Sequence, residues 1–401
     1  MTERWVICAG WFVLMLFAGT LQAEPIPISR VSGSAIGDYA EIFFEPGERM
    51  PIEEARSLFA DNAGISGERD ILNFGIGAPA HWLKFIVNNP TKMTITKMLS
   101  VETAWLDDLA IYIFKKDELQ AKYVLGDSLV QTARPIDNRF YVIEYEFQPG
   151  TTSLYLRVAS NDAMLLPIYL DDGATFNKRF EFKNYSYGLL YGVLAALLLY
   201  NLMLFFSLHS APHFFYSLFL TSLIACNLAY TGHGFRWLWP HAIHWQQWAN
   251  PVLMTVTGIC GLLFAFSFLE TRKTLPKLYW AVSGLCLAVL IGLGAAYYAA
   301  QIQTALILAL VFIVLCTVLM ALLGIFAYRA ENPSANYFLL ASILGAISAI
   351  ITALTVSDML PYSIWGYRAV EIGMVVEAIL LALALADNFR RGEKKRLQAA
   401  Q

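Results

Sequence analysis

The residues in this chain whose types and spacing point to chemistry are few and scattered. Glu377 is an ionisable side chain about ten residues into the last long apolar run, roughly 15 Å deep at the helical rise. A carboxyl at bilayer depth is costly and points to function by default. Here it reads either as a switch or as a group that fixes helix packing by hydrogen-bonding a tyrosine, Asn201 or Asn227; catalysis is not expected of it. Arg368 and Glu371, three apart at the outer end of the same run, can pair on one helix face. Two readings stand: a surface ion pair worth under about 1 kcal/mol, or an arginine that touches the exported part of the chain and passes on its movement. His241 and His244, with His233 nearby, are the one grouping of metal-ligand type. No carboxylate sits beside them and no His-Glu-x-x-His pattern occurs, so no metal is expected. Their neighbours Trp237, Trp239, Trp245 and Trp248 mark an interfacial anchor.

The remaining candidates precede residue 178. Trp82, Trp105, Asp107, Asp108, Tyr112, Arg134 and Arg139 form the set from which a ligand platform would be drawn. Aromatic rings stack on sugar faces, and Arg and Asp hydrogen-bond hydroxyls; against this, aromatic residues at strand positions are usually core. The acidic turns at Asp127 and at Asp171 and Asp172 lack the ordered ligand spacing of an EF-hand loop. No carboxylate pair supports glycoside hydrolysis, and no cofactor motif is present, so no cofactor is expected.

The elements that position these residues fall into unlike halves. The chain is 57% hydrophobic and 15% charged with mean hydropathy +0.52, an average over a polar part and a very apolar one. Seven apolar runs lie at approximately 185–207, 214–231, 248–269, 278–298, 302–328, 336–356 and 367–389. Each approaches the ~20 residues a spanning helix needs, and with no water in hydrocarbon to satisfy free backbone, such runs must be helices. Residues 1–23, with Arg4, an apolar stretch and a small-residue end at Ala23, read as a secretory signal peptide. Residues 24–177 show period-two alternation, as in Leu109, Ile111 and Ile113, broken by turns such as Gln148, Pro149 and Gly150, the pattern of an all-β sandwich. Glu53 to Phe59 is expected to be one short helix. Residues 178–184 are expected as a linker, 185–389 as the seven-helix domain and 390–401 as a cytoplasmic stub. No cysteine lies between Glu24 and Lys183, so the exported part is free of disulfides.

Basic residues orient the helices. With the N-terminal part outside, the inner segments carry Arg272, Lys273, Lys277, Arg329, Arg390, Arg391, Lys394, Lys395 and Arg396, whereas the outer loops between helices carry Arg236 and Arg368. That asymmetry follows the positive-inside rule for seven spans. A net charge of −3 without a basic block excludes a nucleic-acid footprint.

Several stretches together resemble a known family. Gly188 to Gly192, Leu199 to Leu208, Gly232 to Pro240 and Val376 to Asp387 resemble the bacterial seven-transmembrane receptors with diverse intracellular signalling modules. His81 to Phe85, Asn89 with Pro90, Leu106 to Tyr112, Arg134, Arg139 and Leu154 to Val158 resemble the larger extracellular domain type of that family. The resemblance implies a membrane protein with an all-β, jelly-roll-like periplasmic sandwich followed by a seven-helix transmembrane bundle, placed in the bacterial inner membrane. It implies a small periplasmic ligand, carbohydrate among the candidates, and signal transfer through the helices to a cytoplasmic output. Only about a dozen polar residues follow Phe389, so the output is expected either in a continuation of the chain or in a separate cytoplasmic signalling protein. A homodimer is expected where that output is a kinase or cyclase. The rival readings are a membrane enzyme with a metal site in the outer His/Trp loop, a transporter, and a glycan-binding scaffold anchored by its helices.

Overall fold

The computed structural model describes residues 24–29, 31–329 and 335–400; the signal peptide expected over residues 1–23 lies outside the described residues. The N-terminal part is a two-layer β-sandwich. Its larger sheet runs β3 (Ile65–Ser66), β2 (Glu41–Phe44), β5 (His81–Asn89), β10 (Gly150–Ala159), β7 (Asp108–Lys115) and β8 (Glu118–Leu125), with β1 (Ile26–Pro27) parallel to the far end of β5. The facing layer holds β12 (Ile168–Asp171), β6 (Ile95–Val101) and β9 (Tyr141–Phe147), with β11 (Ala163–Leu166) paired to β4 (Leu72–Ile76) beside it. The core between the layers comes from inward positions of both, among them Phe85, Leu109, Ile111 and Leu156 from one and Leu99, Tyr141, Ile143 and Phe147 from the other.

Strand β7 is buried along both faces, because the outward face of the larger sheet is also covered. Helix α1 (Ile52–Ala60), close to the helix expected at Glu53–Phe59, turns Ile52, Ala55 and Phe59 onto Trp82, Tyr112, Phe114 and Tyr155. The spacing of those three helical residues places them on one face. Residues that look outward by alternation therefore form a second, smaller core.

Among the described residues, seven helices long and apolar enough to cross a membrane follow: α2 (Gly173–Leu208), α3 (Ala211–Tyr230), α5 (Ile243–Phe268), α7 (Pro276–Tyr298), α8 (Ile302–Arg329), α9 (Ala335–Val356) and α11 (Ala369–Ala400). Short helices α4 (His233–Trp237), α6 (Thr271–Thr274) and α10 (Ile364–Tyr367) lie between them. The bundle core gathers Leu194, Tyr216, Leu220, Phe264, Phe312, Phe338, Ala378 and Leu381, while Leu199, Met203, Phe206, Ile291 and Val311 remain on the outer, lipid-facing surface.

Two boundaries differ from expectation. Residues 178–184, expected as a linker, lie inside α2, which begins at Gly173 one residue beyond Asp172 and runs on unbroken. The segment's one turn-former is Asn184 at its end, and Arg179 and Lys183 are neutralised by sandwich carboxylates, so nothing ends the helix there. At the other end α11 continues through Gly392 instead of stopping near Phe389.

Candidate functional site

The sandwich is seated on one pole of the bundle, and the polar residues of both halves converge at that seam. Glu102, just past the end of β6 and 7% exposed, receives Arg179 Nε at 3.0 Å and pairs with Lys183, both from the first turns of α2. Burial alone would raise its carboxyl, but Lys183 and Arg179 outweigh burial and hold it below the ordinary carboxylate range. Arg179 also pairs with the fully buried Asp171 of β12 and lies 3.9 Å from the Tyr169 ring. These contacts explain why α2 starts so far outside the hydrocarbon.

One turn or two deeper, three helices meet at a single carboxylate. Glu371 is 2% exposed; its Oε1 accepts from Tyr187 Oη (α2) at 2.6 Å and from Tyr230 Oη (α3) at 3.1 Å, and its Oε2 accepts from Arg368 Nε at 2.5 Å. Arg368 also donates to Ser186 Oγ at 2.9 Å. Asn227 links the rest: Tyr191 donates to its Oδ1 at 2.7 Å, and its Nδ2 donates to Tyr230 Oη at 3.0 Å. The pair expected at Arg368 and Glu371 is therefore formed, but buried and hydrogen-bonded to two other helices, a setting in which charges interact far more strongly than on a surface.

The sandwich reaches this cluster through Arg139. Its guanidinium lies 4.6 Å from the centroid of Tyr187, the distance at which Arg368 lies from the same ring, and its Nη1 donates to the Thr231 carbonyl at 2.7 Å. Gly232 follows at φ +80°, and a Cβ there would stand 2.6 Å from that of Ala104, so glycine is needed both for its left-handed backbone and for the close approach of the two halves. Three further contacts, two from the segment between α3 and α5 and one from the end of α9, complete the seating. Arg236 grips Asp137 with two bonds of 3.1 Å; the Gln131 backbone N–H donates to the Pro240 carbonyl at 3.0 Å; Asn73 Nδ2 donates to the Thr355 and Val356 carbonyls at 3.2 and 3.1 Å. All belong to the pole opposite Arg272, Lys273, Arg329 and Arg391. Between the halves remains a cavity of about 30 Å³, bordered by Glu102, Arg139, Lys183, Tyr187, Tyr362 and Arg368 among others.

The candidate ligand residues do not form one platform. Trp82 is fully enclosed under α1, donating to Glu45 Oε2 at 3.1 Å, with Tyr112 stacked 6.0 Å away. Asp108 pairs with Arg157 at 3.0 Å and Arg49 at 3.1 Å. Trp105, half-buried, donates to the Ala163 carbonyl at 2.8 Å, and Asp107 accepts from the backbone and side chain of Asn161 at 2.7 and 2.8 Å. Arg134 and Arg139 are both buried at the seam; Arg134 donates to the Asn138 and Arg139 carbonyls at 3.0 and 2.8 Å, and burial holds its guanidinium below its ordinary value. Glu377 points at Gly345 of α9, where a Cβ would come within 2.6 Å of its carboxylate, and it has no hydrogen-bond partner among the described residues. His233 is buried at the seam beside Thr231 Oγ1 at 2.9 Å, whereas His241 and His244 are exposed. Burial, then Arg139 and Arg236, push His233 down to about 3. Sequence reasoning missed Glu102, Tyr187 and Tyr230. The one available signal was Tyr187 and Tyr191 four apart on a helix face, beside the cations of the supposed linker.

Residues 183–388 match the family described as 7TM diverse intracellular signalling, and residues 37–172 match the one described as 7TMR-DISM extracellular 2. The chain belongs to the 7TM diverse intracellular signalling family. It is a membrane protein with an N-terminal extracellular β-sandwich followed by seven helices, in a family of signalling receptors. No curated protein matches the chain. Among solved structures, a family 35 carbohydrate binding module from an environmental isolate aligns at 11% identity over 25% of this chain and 69% of its own, with a TM-score of 0.16, too loose a superposition to argue from.

Proposed function

We propose that this member of the 7TM diverse intracellular signalling family is an inner-membrane sensory receptor. Its sandwich lies in the periplasm, its helix ends bearing Arg390 and Arg391 lie in the cytoplasm, and α2, α3 and α11 carry the signal between them. The observation that carries this reading is the Glu371 carboxylate of α11, held by side chains of α2 and α3 and by Arg368, beneath a sandwich arginine that shares the Tyr187 ring with Arg368. A passive anchor has no use for a buried polar junction of three helices, each satisfied by the others. A ligand that binds one docking geometry of the sandwich better than another shifts the equilibrium by that difference in affinity, and the junction converts the shift into relative movement of α2 and α11. The periplasmic ligand, carbohydrate among the candidates, would be met by polar and aromatic groups that keep some exposure, Trp105 and Asp107 first among them. Output then passes to a cytoplasmic module or partner, with dimerisation where that partner is a kinase or cyclase.

The test needs no ligand. Spin labels on Leu208→Cys and Arg390→Cys, in a background freed of native cysteines, report the separation of the inner ends of α2 and α11 in nanodiscs. Glu371→Gln, made at the outer pole, is expected to change that distance distribution across the membrane. A distribution identical in both proteins would leave the helices as an anchor and favour the glycan-binding scaffold.

A further inference from the structure

The charged groups in and next to the lining of the seam cavity hold one more positive charge than their carboxylates neutralise. Glu102 is flanked by Arg179 and Lys183, Asp171 by Arg179, and Glu371 by Arg368: four cations counting Arg139, against three carboxylates, with Arg139 left over. Arg139 is 3% exposed and forms no salt bridge among the described residues. Of its five N–H donors, one is used, by the Thr231 carbonyl; Nε is buried without a partner, and Nη2 has no bond among the described residues. The rings of Phe140 and Tyr187, 4.0 and 4.6 Å from the guanidinium, offset part of the desolvation. An unpaired buried charge otherwise carries a heavy penalty, and this one borders the cavity between the two halves.

We infer that the seam cavity is a binding site for a small carboxylate, received by the free donors of Arg139. Charge selects an anion. The fork formed by Nε and Nη2 of a guanidinium matches a planar carboxylate with two parallel hydrogen bonds. Size excludes anything larger at the arginine: about 30 Å³ is room for roughly two waters, at roughly 10–15 Å³ each, which fits a formate or the head of acetate and not a sugar ring. The site takes walls from both halves, Ala104, Phe140 and Pro167 from the sandwich and Tyr187, Tyr230 and Tyr362 from the bundle. An occupant therefore binds only the docked arrangement and stabilises it. That last consequence rests on the receptor reading; the site itself does not.

The experiment uses the full chain in nanodiscs at constant ionic strength, with sodium gluconate, too bulky for the cavity, replaced stepwise by sodium formate, acetate or chloride. Thermal unfolding and hydrogen exchange of the segments around Lys183–Tyr191 and Tyr362–Glu371 are followed. Formate and acetate are expected to raise the unfolding temperature and slow exchange in both segments, saturably, while gluconate does not. Arg139→Lys keeps the charge but loses the fork, and is expected to weaken the response at least about tenfold; Lys273→Gln, in the exposed pair with Glu270 at the opposite pole, is expected to leave it intact. Identical behaviour of the wild-type protein in all four salts would overturn the site without recourse to any variant. Chloride as effective as formate would overturn the carboxylate assignment, and an undiminished response in Arg139→Lys would place the anion elsewhere. Carboxylate binding that leaves the spin-label distances at Leu208→Cys and Arg390→Cys unmoved would keep the site and remove its coupling to the helices.

Discussion

Glu371 and Arg368 illustrate why a pair must be judged by its surroundings. Placed at i and i+3 on an exposed helix they would add little, but here the carboxylate also accepts from the tyrosines of two other helices. Removing one partner leaves the other charge buried and unpaired. Glu371→Ala is therefore expected to destabilise the receptor by about 3 kcal/mol, and the double variant Glu371→Ala, Arg368→Ala by clearly less than the sum of the singles, as a double-mutant cycle on unfolding in nanodiscs would measure. A second expectation concerns Asp162. Burial, and secondarily Asp107 beside it, push its carboxyl up to about 7 from an unfolded value of 3.8. The folded state thus holds this proton more tightly. Its contribution is complete below about pH 4 and is lost as pH rises through 7. His233, pushed down to about 3, has the opposite slope, since protonation of the unfolded chain at low pH draws the equilibrium away from the fold. The difference in unfolding temperature between Asp162→Asn and the wild type isolates the first effect and should grow from pH 4 to pH 7. A flat difference would remove Asp162 as its source.

Among the elements, α2 is the most informative. Its apolar run was legible from Tyr185 onward, but its true beginning at Gly173 was not, because Lys178, Arg179 and Lys183 dilute the hydropathy of a segment whose compensating carboxylate, Glu102, lies some eighty residues away. The strands fared better: the alternation around Leu83, Leu109 and Leu154 is that of β5, β7 and β10. What alternation could not convey is that α1 covers the second face of the larger sheet, which is why Trp82 and Tyr112, plausible as a sugar platform by type, are enclosed. The seam was the least legible feature. Its members come from the residues flanking β6 and β9 and from β12, α2, α3, α10 and α11, and no local pattern announces that Arg139 and Arg368 share a ring. If α2 acts as one rod, Glu181→Pro, between Arg179 and Lys183, should cost about 3 kcal/mol or more through the lost helical bond and ring clash. It should also abolish the effect of Glu371→Gln on the inner-end spin-label distances. Retention of that effect would show that α2 beyond the seam works alone.

For the whole molecule, the important fact is that α2 spans 36 residues without a break, about 54 Å at the helical rise, and that β12 passes into it across a single residue. A domain on a flexible tether tumbles, and its amide groups take every angle to the bilayer. Here the sandwich is bolted to the pole by α2, by Arg236 on Asp137 and by Asn73 on the end of α9, so its strands must keep a set angle to the membrane normal. Polarised infrared spectroscopy of oriented bilayers should accordingly show dichroism in the β-sheet amide band as well as the helical one, and Glu181→Pro should reduce the former while sparing the latter. The membrane thereby becomes the compass of the extracellular domain, and every ligand that reaches it meets the same face at the same height.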